Sequence, residues 1–132
     1  MPAAALMREA QSARRRAHAS YSRFAVGAAL LTRNGRVIRG CNVENSSYGL
    51  AICAERVALF NAVSEGERDF VAIAVTGPPG RSAQPCGACR QVLHEFAPDL
   101  AVHFRGARGR IVTRRLDQLL PYAFDLERAK RR

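Results

Sequence analysis

The sequence predicts an α/β fold built on a mixed β-sheet. Two apolar runs flank Asn34-Gly35, the strongest short-range signal for a β-hairpin, and therefore predict an antiparallel pair of strands. Further along the chain, strand-like and helix-like segments alternate, and such strand–helix–strand units place their strands parallel. A chain of 132 residues suits one domain. We expect it to span residues 1–132, with a basic tail over about 125–132 that is either a short helix or mobile.

The individual elements follow from hydrophobic periodicity. Apolar residues at helical spacing predict three helices and a helical turn, over residues 3 to about 18, 52–65, 86 to about 96, and 116–120. Runs of apolar residues bounded by turn residues predict five strands, at residues 24–32, 36–43, 70–75, 100–104 and 110–113. In the second helix, the expected buried stripe is Val57, Ala58, Phe60 and Val63. Gly27, inside the first strand, indicates a bulge or a close approach of another backbone.

The net charge of +10, which comes from arginine and a single lysine (Lys130), is the unusual bulk property of the chain. A basic surface favours polyanionic partners such as nucleic acid. The arginine runs are short, however, and no aromatic residues alternate with them as they do in single-strand binding grooves. We therefore interpret the charge as a solvated surface and expect no nucleic-acid partner.

The cysteines indicate metal binding rather than disulfides. No apolar run approaches the ~20 residues of a membrane-spanning helix, and the N-terminus lacks the apolar core of a secretion signal. We therefore expect a cytoplasmic protein without a membrane partner, in a compartment where thiols stay reduced. The four thiols are Cys41, Cys53, Cys86 and Cys89.

Two short segments carry the chemistry, residues 53–56 (Cys-Ala-Glu-Arg) and 85–90 (Pro-Cys-Gly-Ala-Cys-Arg). Cys86 and Cys89 are three positions apart at a predicted helix start, which is a common half of a zinc site. Cys53 begins another predicted helix and supplies a third ligand. A site with three protein ligands leaves a position for water, which is the catalytic arrangement. Cys41 lies in the middle of a strand, and we interpret it as a small buried hydrophobic residue.

The residues next to the thiols suggest how such a site would work. Glu55 is either an acid favoured by the positive end of the helix dipole or a proton shuttle, and three neighbouring thiolates favour the shuttle. Zinc with three thiolates carries a negative charge, which opposes ionisation of a bound water. Arg56 and Arg90 are each adjacent to a ligand in the sequence and could donate hydrogen bonds to the thiolates, although either could instead be an ordinary surface residue.

These segments resemble the zinc-dependent nucleoside deaminases, in the variant whose first ligand is cysteine instead of histidine. Further segments extend the resemblance to the short, homotetrameric cytidine deaminases, over about residues 20–124. They are residues 21–30 (YSRFAVGAAL), 40–45 (GCNVEN), 53–56 (CAER), 85–92 (PCGACRQV) and 119–121 (LLP). The resemblance implies a single catalytic domain with three α-β-α layers around a mixed five-stranded sheet. It also implies one zinc ion per subunit, held by Cys53, Cys86 and Cys89.

The resemblance also implies a reaction and a mechanism. The reaction is hydrolytic deamination of cytidine and 2′-deoxycytidine to uridine and 2′-deoxyuridine with release of ammonia, as part of pyrimidine salvage. Zinc-bound hydroxide would attack C4 of the base, and Glu55 would shuttle the protons.

The same resemblance assigns the substrate contacts, which are shared between subunits of a homotetramer. The backbone at Ala54 would hold the base and Phe24 would pack against the base or sugar. Asn42 and Glu44 would bind the ribose 3′-hydroxyl. Neighbouring subunits would contribute Ser46, Tyr48 and Phe124, although Ser46 departs from the alanine usual in the family.

Three alternatives remain open from the sequence. The first is a related deaminase for another aminopyrimidine nucleoside, such as blasticidin S. The second is a nucleic-acid-binding or editing protein that uses the net charge of +10. The third is a purely structural zinc domain.

Overall fold

A computed structural model describes residues 1–130 of the chain and shows one mixed β-sheet. The five strands are β1 (Gly27–Thr32), β2 (Val37–Cys41), β3 (Phe70–Thr76), β4 (Ala101–Arg105) and β5 (Ile111–Arg115). Their spatial order is β2-β1-β3-β4-β5, and only β3 and β4 are parallel neighbours, whereas the other three pairs are antiparallel. The apolar run at residues 70–75 is therefore the central strand, as predicted.

Helices cover both faces of the sheet. They are α1 (Ala3–Arg14), α2 (Ala54–Ser64), α3 (Gly87–His94), α4 (Leu116–Leu119) and α5 (Leu126–Lys130). On one face, α1 packs Leu6, Met7 and Ala10 against Ala29 and Ala74. The other face carries a larger core shared with α2, α3 and α4. The predicted three-layer α-β-α fold with a mixed five-stranded sheet is confirmed.

Several predicted boundaries are wrong at the ends of the elements. The helix α1 ends at Arg14 instead of about 18, because the chain turns there and His18 bridges Val43. The predicted tail is helical from Leu126 to Lys130, while its last two residues lie outside the described part of the chain. None of the helices within residues 1–130 combines the length and the apolar character that a membrane crossing requires.

The buried face of α2 differs from the predicted stripe. Ala54, Ala58 and Ala62 are fully buried, whereas Phe60 is 46% exposed. Small residues face the sheet because α2 lies directly on β2, where a Cβ added to Gly40 would overlap the backbone of Ala54 and Ala58. This close packing fixes the first turn of α2 relative to the sheet. A similar approach of α1 to Gly27 confirms the close contact predicted for that glycine.

Candidate active site

Two helix N-termini meet at one end of the larger core and bring three thiols together. Cys53 is the N-cap of α2 and Cys86 the N-cap of α3, both with extended backbone, and Cys89 lies in the first turn of α3. The Sγ atom of Cys86 lies 3.8 Å from that of Cys53 and 3.5 Å from that of Cys89. All three sulfur atoms lie within 4.8 Å of one another. Cys41, on β2, is half-buried and outside this group.

This arrangement fits a zinc ion. Four-coordinate zinc with Zn–S distances of about 2.3 Å separates its sulfur ligands by about 3.8 Å, close to the spacing found between these thiols. Thiolates are also the soft ligands that zinc accepts readily. The positive ends of two helix dipoles point at Cys53 and Cys86 and offset part of the negative charge of the thiolates.

Arg56 supplies further positive charge at the thiols. Its Nη2 donates a hydrogen bond to Cys53 Sγ at 3.4 Å. Hydrogen bonds from Cys89 and Arg56 lower the pKa of Cys53 to about 5, whereas the shared proton and burial raise the pKa of Cys89. Among the described residues, the buried Nε of Arg56 has no hydrogen-bond partner. This buried N–H group lies beside the sulfur atoms and suits a site in which further thiolates form when a metal is bound.

Glu55 is the buried acid of the site. It lies in the first turn of α2 and is only 4% exposed. Desolvation raises the pKa of Glu55 to about 7. A carboxyl group that titrates near neutrality can both accept and return a proton during a reaction.

A cavity of about 460 Å³ opens above Glu55 and two of the thiols. Its walls include the predicted residues Phe24, Asn42, Glu44 and Ala54. Most of its surface is apolar, as in typical small-molecule sites. The rest of the lining was not predicted and comprises Ser22, Val26, Ala51, Ile52, Val75, Ser82, Ala83 and Gln84. Residues 82–84 follow a Gly-Pro-Pro-Gly segment that predicted only a loop, and no pattern marks their role.

Asn42 holds the wall of the cavity together. Its Oδ1 accepts a hydrogen bond from Val26 N at 2.8 Å, and its Nδ2 donates to Phe24 O at 2.9 Å. The side chain thus ties the end of β2 to the segment before β1. One amide hydrogen and one lone pair remain for a ligand.

Glu44 is held by the turn that precedes Phe24. Its Oε1 accepts hydrogen bonds from the backbone of Tyr21 at 3.0 Å and of Ser22 at 2.9 Å, and its Oε2 accepts one from Ser22 Oγ. The bonds from Ser22 lower the pKa of Glu44, so the carboxylate stays ionised. Ser22 Oγ also accepts a hydrogen bond from Phe24 N at 3.0 Å. Ser22 therefore connects two predicted substrate contacts.

The residues expected to serve neighbouring subunits lie outside this cavity. Tyr48 is 77% exposed and packs edge-on against Tyr21, whose hydroxyl lies 2.6 Å from Ser46 Oγ. Phe124 is also exposed, and its carbonyl accepts a hydrogen bond from Gln91 Nε2 at 3.0 Å. Within one chain, the structure does not bring Ser46, Tyr48 or Phe124 to the cavity that contains Glu55.

Arg90 differs from the expectation for it. Its Nε donates to Pro85 O at 2.8 Å and its Nη1 to Leu119 O at 2.7 Å. Within residues 1–130, no hydrogen bond links it to a thiol. The guanidinium can donate to both backbone carbonyls because α4 passes beside α3. Arg90 therefore fixes the chain before Cys86 and at the end of α4.

Known proteins are similar to this chain in sequence and in fold. Residues 2–104 match the pattern of a family described as the cytidine and deoxycytidylate deaminase zinc-binding region. The chain is 54% identical over 123 residues to a cytidine deaminase from Halalkalibacterium halodurans, covering 92% of this chain and 93% of that protein. A crystal structure of cytidine deaminase from Burkholderia pseudomallei aligns with a TM-score of 0.88 at 50% identity, covering 94% of this chain and 100% of that one. A blasticidin-S deaminase from Bacillus cereus is 32% identical over 107 residues, 75% of this chain and 76% of that protein. The chain therefore belongs to the cytidine and deoxycytidylate deaminase family and carries its zinc-binding domain.

Proposed function

We propose that the protein hydrolyses cytidine and 2′-deoxycytidine to uridine and 2′-deoxyuridine, with release of ammonia, in pyrimidine salvage. The observation that carries this proposal is the position of Glu55. A buried carboxyl group with a pKa of about 7 shares one cavity with a cluster of three thiols suited to zinc. A purely structural metal site has no need of such an acid.

Cys53, Cys86 and Cys89 would hold the zinc ion, one per subunit. When bound, zinc supplies Lewis acidity that lowers the pKa of a water molecule. Arg56 donates to Cys53 and compensates the excess negative charge of three thiolates. Arg90, bonded to Pro85 O, keeps the chain before Cys86 in position.

Glu55 would move the protons of the reaction. It takes a proton from the water that attacks C4 and gives it to N3 of the base. A second proton then passes through Glu55 to the amino group, which leaves as ammonia and leaves the carbonyl of uridine behind. Burial favours this role because it keeps the pKa of Glu55 near that of the groups it serves.

Binding of the nucleoside would use the walls of the cavity. Phe24 packs against the base or the sugar, and the backbone at Ala54 contacts the base. Glu44 accepts a hydrogen bond from the ribose 3′-hydroxyl, and the free amide hydrogen of Asn42 is donated to the same hydroxyl. The internal bonds that hold Asn42 and Glu44 support this role, because they fix both side chains before the substrate arrives.

The active unit would be a homotetramer with shared sites, in which Ser46, Tyr48 and Phe124 complete the cavity of a neighbouring subunit. Their exposure, together with that of Leu50 and Phe60, supports this assembly. Light scattering after gel filtration would test the tetramer. We further propose that residues 1–132 act as a single catalytic domain in the cytoplasm, where the free thiols stay reduced.

Ultraviolet-monitored deamination of cytidine and deoxycytidine, with and without a chelator, tests the activity. We expect both substrates to react, chelation to stop the reaction, and added zinc to restore it. Blasticidin S and a single-stranded oligonucleotide serve as comparison substrates. A protein that holds zinc but leaves both nucleosides unchanged would contradict the proposal, and selective turnover of either comparison substrate would redirect it.

A further inference from the structure

A second cavity of about 460 Å³ is lined by residues 76–80, at the end of β3 and the start of the loop that follows it. Its walls are the end of α1, the backbone of residues 76–80, and the end of β4 with the turn that follows it. The carboxyl ends of the parallel neighbours β3 and β4 both reach it. In α/β proteins, the crevice outside the carboxyl ends of parallel strands is a usual position for a ligand.

The charged side chains that line this cavity are all positive. Arg14, Arg15 and Arg105 line it, and no carboxylate does. Elsewhere, Arg33, Arg36, Arg39 and Arg115 form ion pairs with acidic side chains. None of the three cavity arginines has such a pair within residues 1–130. Like charges that share one cleft repel one another, and a bound anion would remove that repulsion.

Two of these arginines are half-buried residues whose guanidinium groups are held by backbone carbonyls. Arg14 Nε donates to Ala25 O at 2.8 Å, and Arg105 Nη1 donates to Gly109 O at 2.8 Å. A guanidinium carries five N–H donors, so each of these side chains is anchored through one and retains others for a ligand.

The lining identifies the class of ligand. Gln11 and the arginines offer only donors and one amide oxygen, and no aromatic side chain is available to stack on a base. Guanidinium groups recognise phosphate through paired hydrogen bonds. We infer that this cleft binds an oligophosphate group, either as an inorganic chain or as the phosphates of a nucleotide.

Calorimetric titration at constant ionic strength tests this inference, with tripolyphosphate, ATP and a short single-stranded oligonucleotide as the probes. The cleft variant is Arg15→Gln with Arg105→Gln. The matched control is Arg8→Gln with Arg114→Gln, which removes the same charge at exposed positions outside this cavity. We expect one saturable site for tripolyphosphate, weakened about tenfold by each cleft substitution, since each removes a charge-assisted hydrogen bond. The control variant should bind as the unmodified protein does.

The probes also separate the sources of the phosphate. Equal affinity for ATP and tripolyphosphate means that only the phosphate chain is recognised, and tighter binding of ATP indicates a nucleotide. The absence of saturable binding would overturn the inference. The inference would also be overturned if both double variants lost the same affinity for tripolyphosphate, or if the protein preferred the oligonucleotide. Either result would indicate a diffuse attraction to the net charge. Arg15→Gln alone, at an exposed position, provides a variant whose fold should be intact, checked by its melting temperature.

Discussion

The bottom and the rim of the catalytic cavity are built in opposite ways. At the bottom lie Cys53 and Glu55, which contact Arg56 and Cys89 of the same chain, and all four residues are buried or half-buried. The rim proposed for the assembled protein consists of Ser46, Tyr48 and Phe124 from neighbouring subunits, which are exposed and do not line the cavity of their own chain. The comparison suggests that one chain suffices for the chemistry and that substrate recognition depends on several. Four experiments test whether the chemistry and the substrate recognition are divided in this way.

The largest effect is expected at the bottom. Glu55→Gln keeps the size and burial of the side chain but removes its ability to carry a proton. We expect kcat to fall about 10²- to 10⁴-fold, the usual contribution of a general acid–base group. Zinc content, measured by atomic absorption, should be unchanged. Near-normal turnover of cytidine by this variant would remove Glu55 from the mechanism.

The burial of Glu55 should also appear in the stability of the metal-free protein. Its pKa rises from 4.5 to about 7 on folding, so the folded state holds the proton more tightly. Stability from this group is therefore present below pH 4.5 and is lost as the pH rises through 7. The loss amounts to about 3 kcal/mol.

Urea unfolding with a chelator and a reductant, across this pH range, measures the effect. The Glu55→Gln variant should lack this part of the pH dependence, whereas Glu95→Gln, at an exposed position, should keep it. Parallel curves for the unmodified protein and Glu55→Gln would show that the carboxyl is not desolvated.

At the rim, Phe124→Ala should reduce kcat/KM about tenfold or more, because stacking on a base contributes roughly 1–3 kcal/mol. The sharper test mixes this variant with Glu55→Gln in one assembly. If Phe124 serves a neighbouring site, about a quarter of the sites in an equal mixture combine an intact Glu55 with an intact Phe124. Activity then exceeds that of both parents combined. No gain on mixing would assign Phe124 to its own chain.

The smallest effect is expected at Ser22, which lies in the wall of the cavity. Ser22→Ala removes a hydrogen bond to Glu44 and one from Phe24 N. We expect KM to rise about five- to tenfold with kcat little changed, as for the loss of one bond to a charged group. Ser20→Ala, at an exposed position nearby, is the control. A fall in kcat at constant KM would contradict a role in substrate binding.

The sequence was most informative where the geometry is local. Cys86 and Cys89 are brought together by one helix start, so their spacing alone predicts their proximity. The position of Cys53 required only a second helix start, and the structure places it with the others. The mixed character of the sheet followed from the hairpin and the strand–helix–strand units, whereas the spatial order of the strands was not predicted.

The failures occur where distant segments decide the outcome. Arg90 donates a hydrogen bond to Leu119 O, which is 29 positions further along the chain, and no local pattern predicts the path between them. Phe60 was assigned to the core because large apolar residues usually occupy it, but α2 turns Ala54, Ala58 and Leu59 toward the core and leaves Phe60 on its outer side. Ser82 and Gln84 line the cavity through a loop whose course depends on the whole fold.

The contact between Gly40 and α2 has a consequence for engineering the protein. Gly40 does not line the catalytic cavity, yet any side chain there would push α2 away from the sheet. Cys53 and Glu55, at the start of that helix, would move with it. In a randomised library selected for deaminase activity, we therefore expect only glycine to be recovered at position 40.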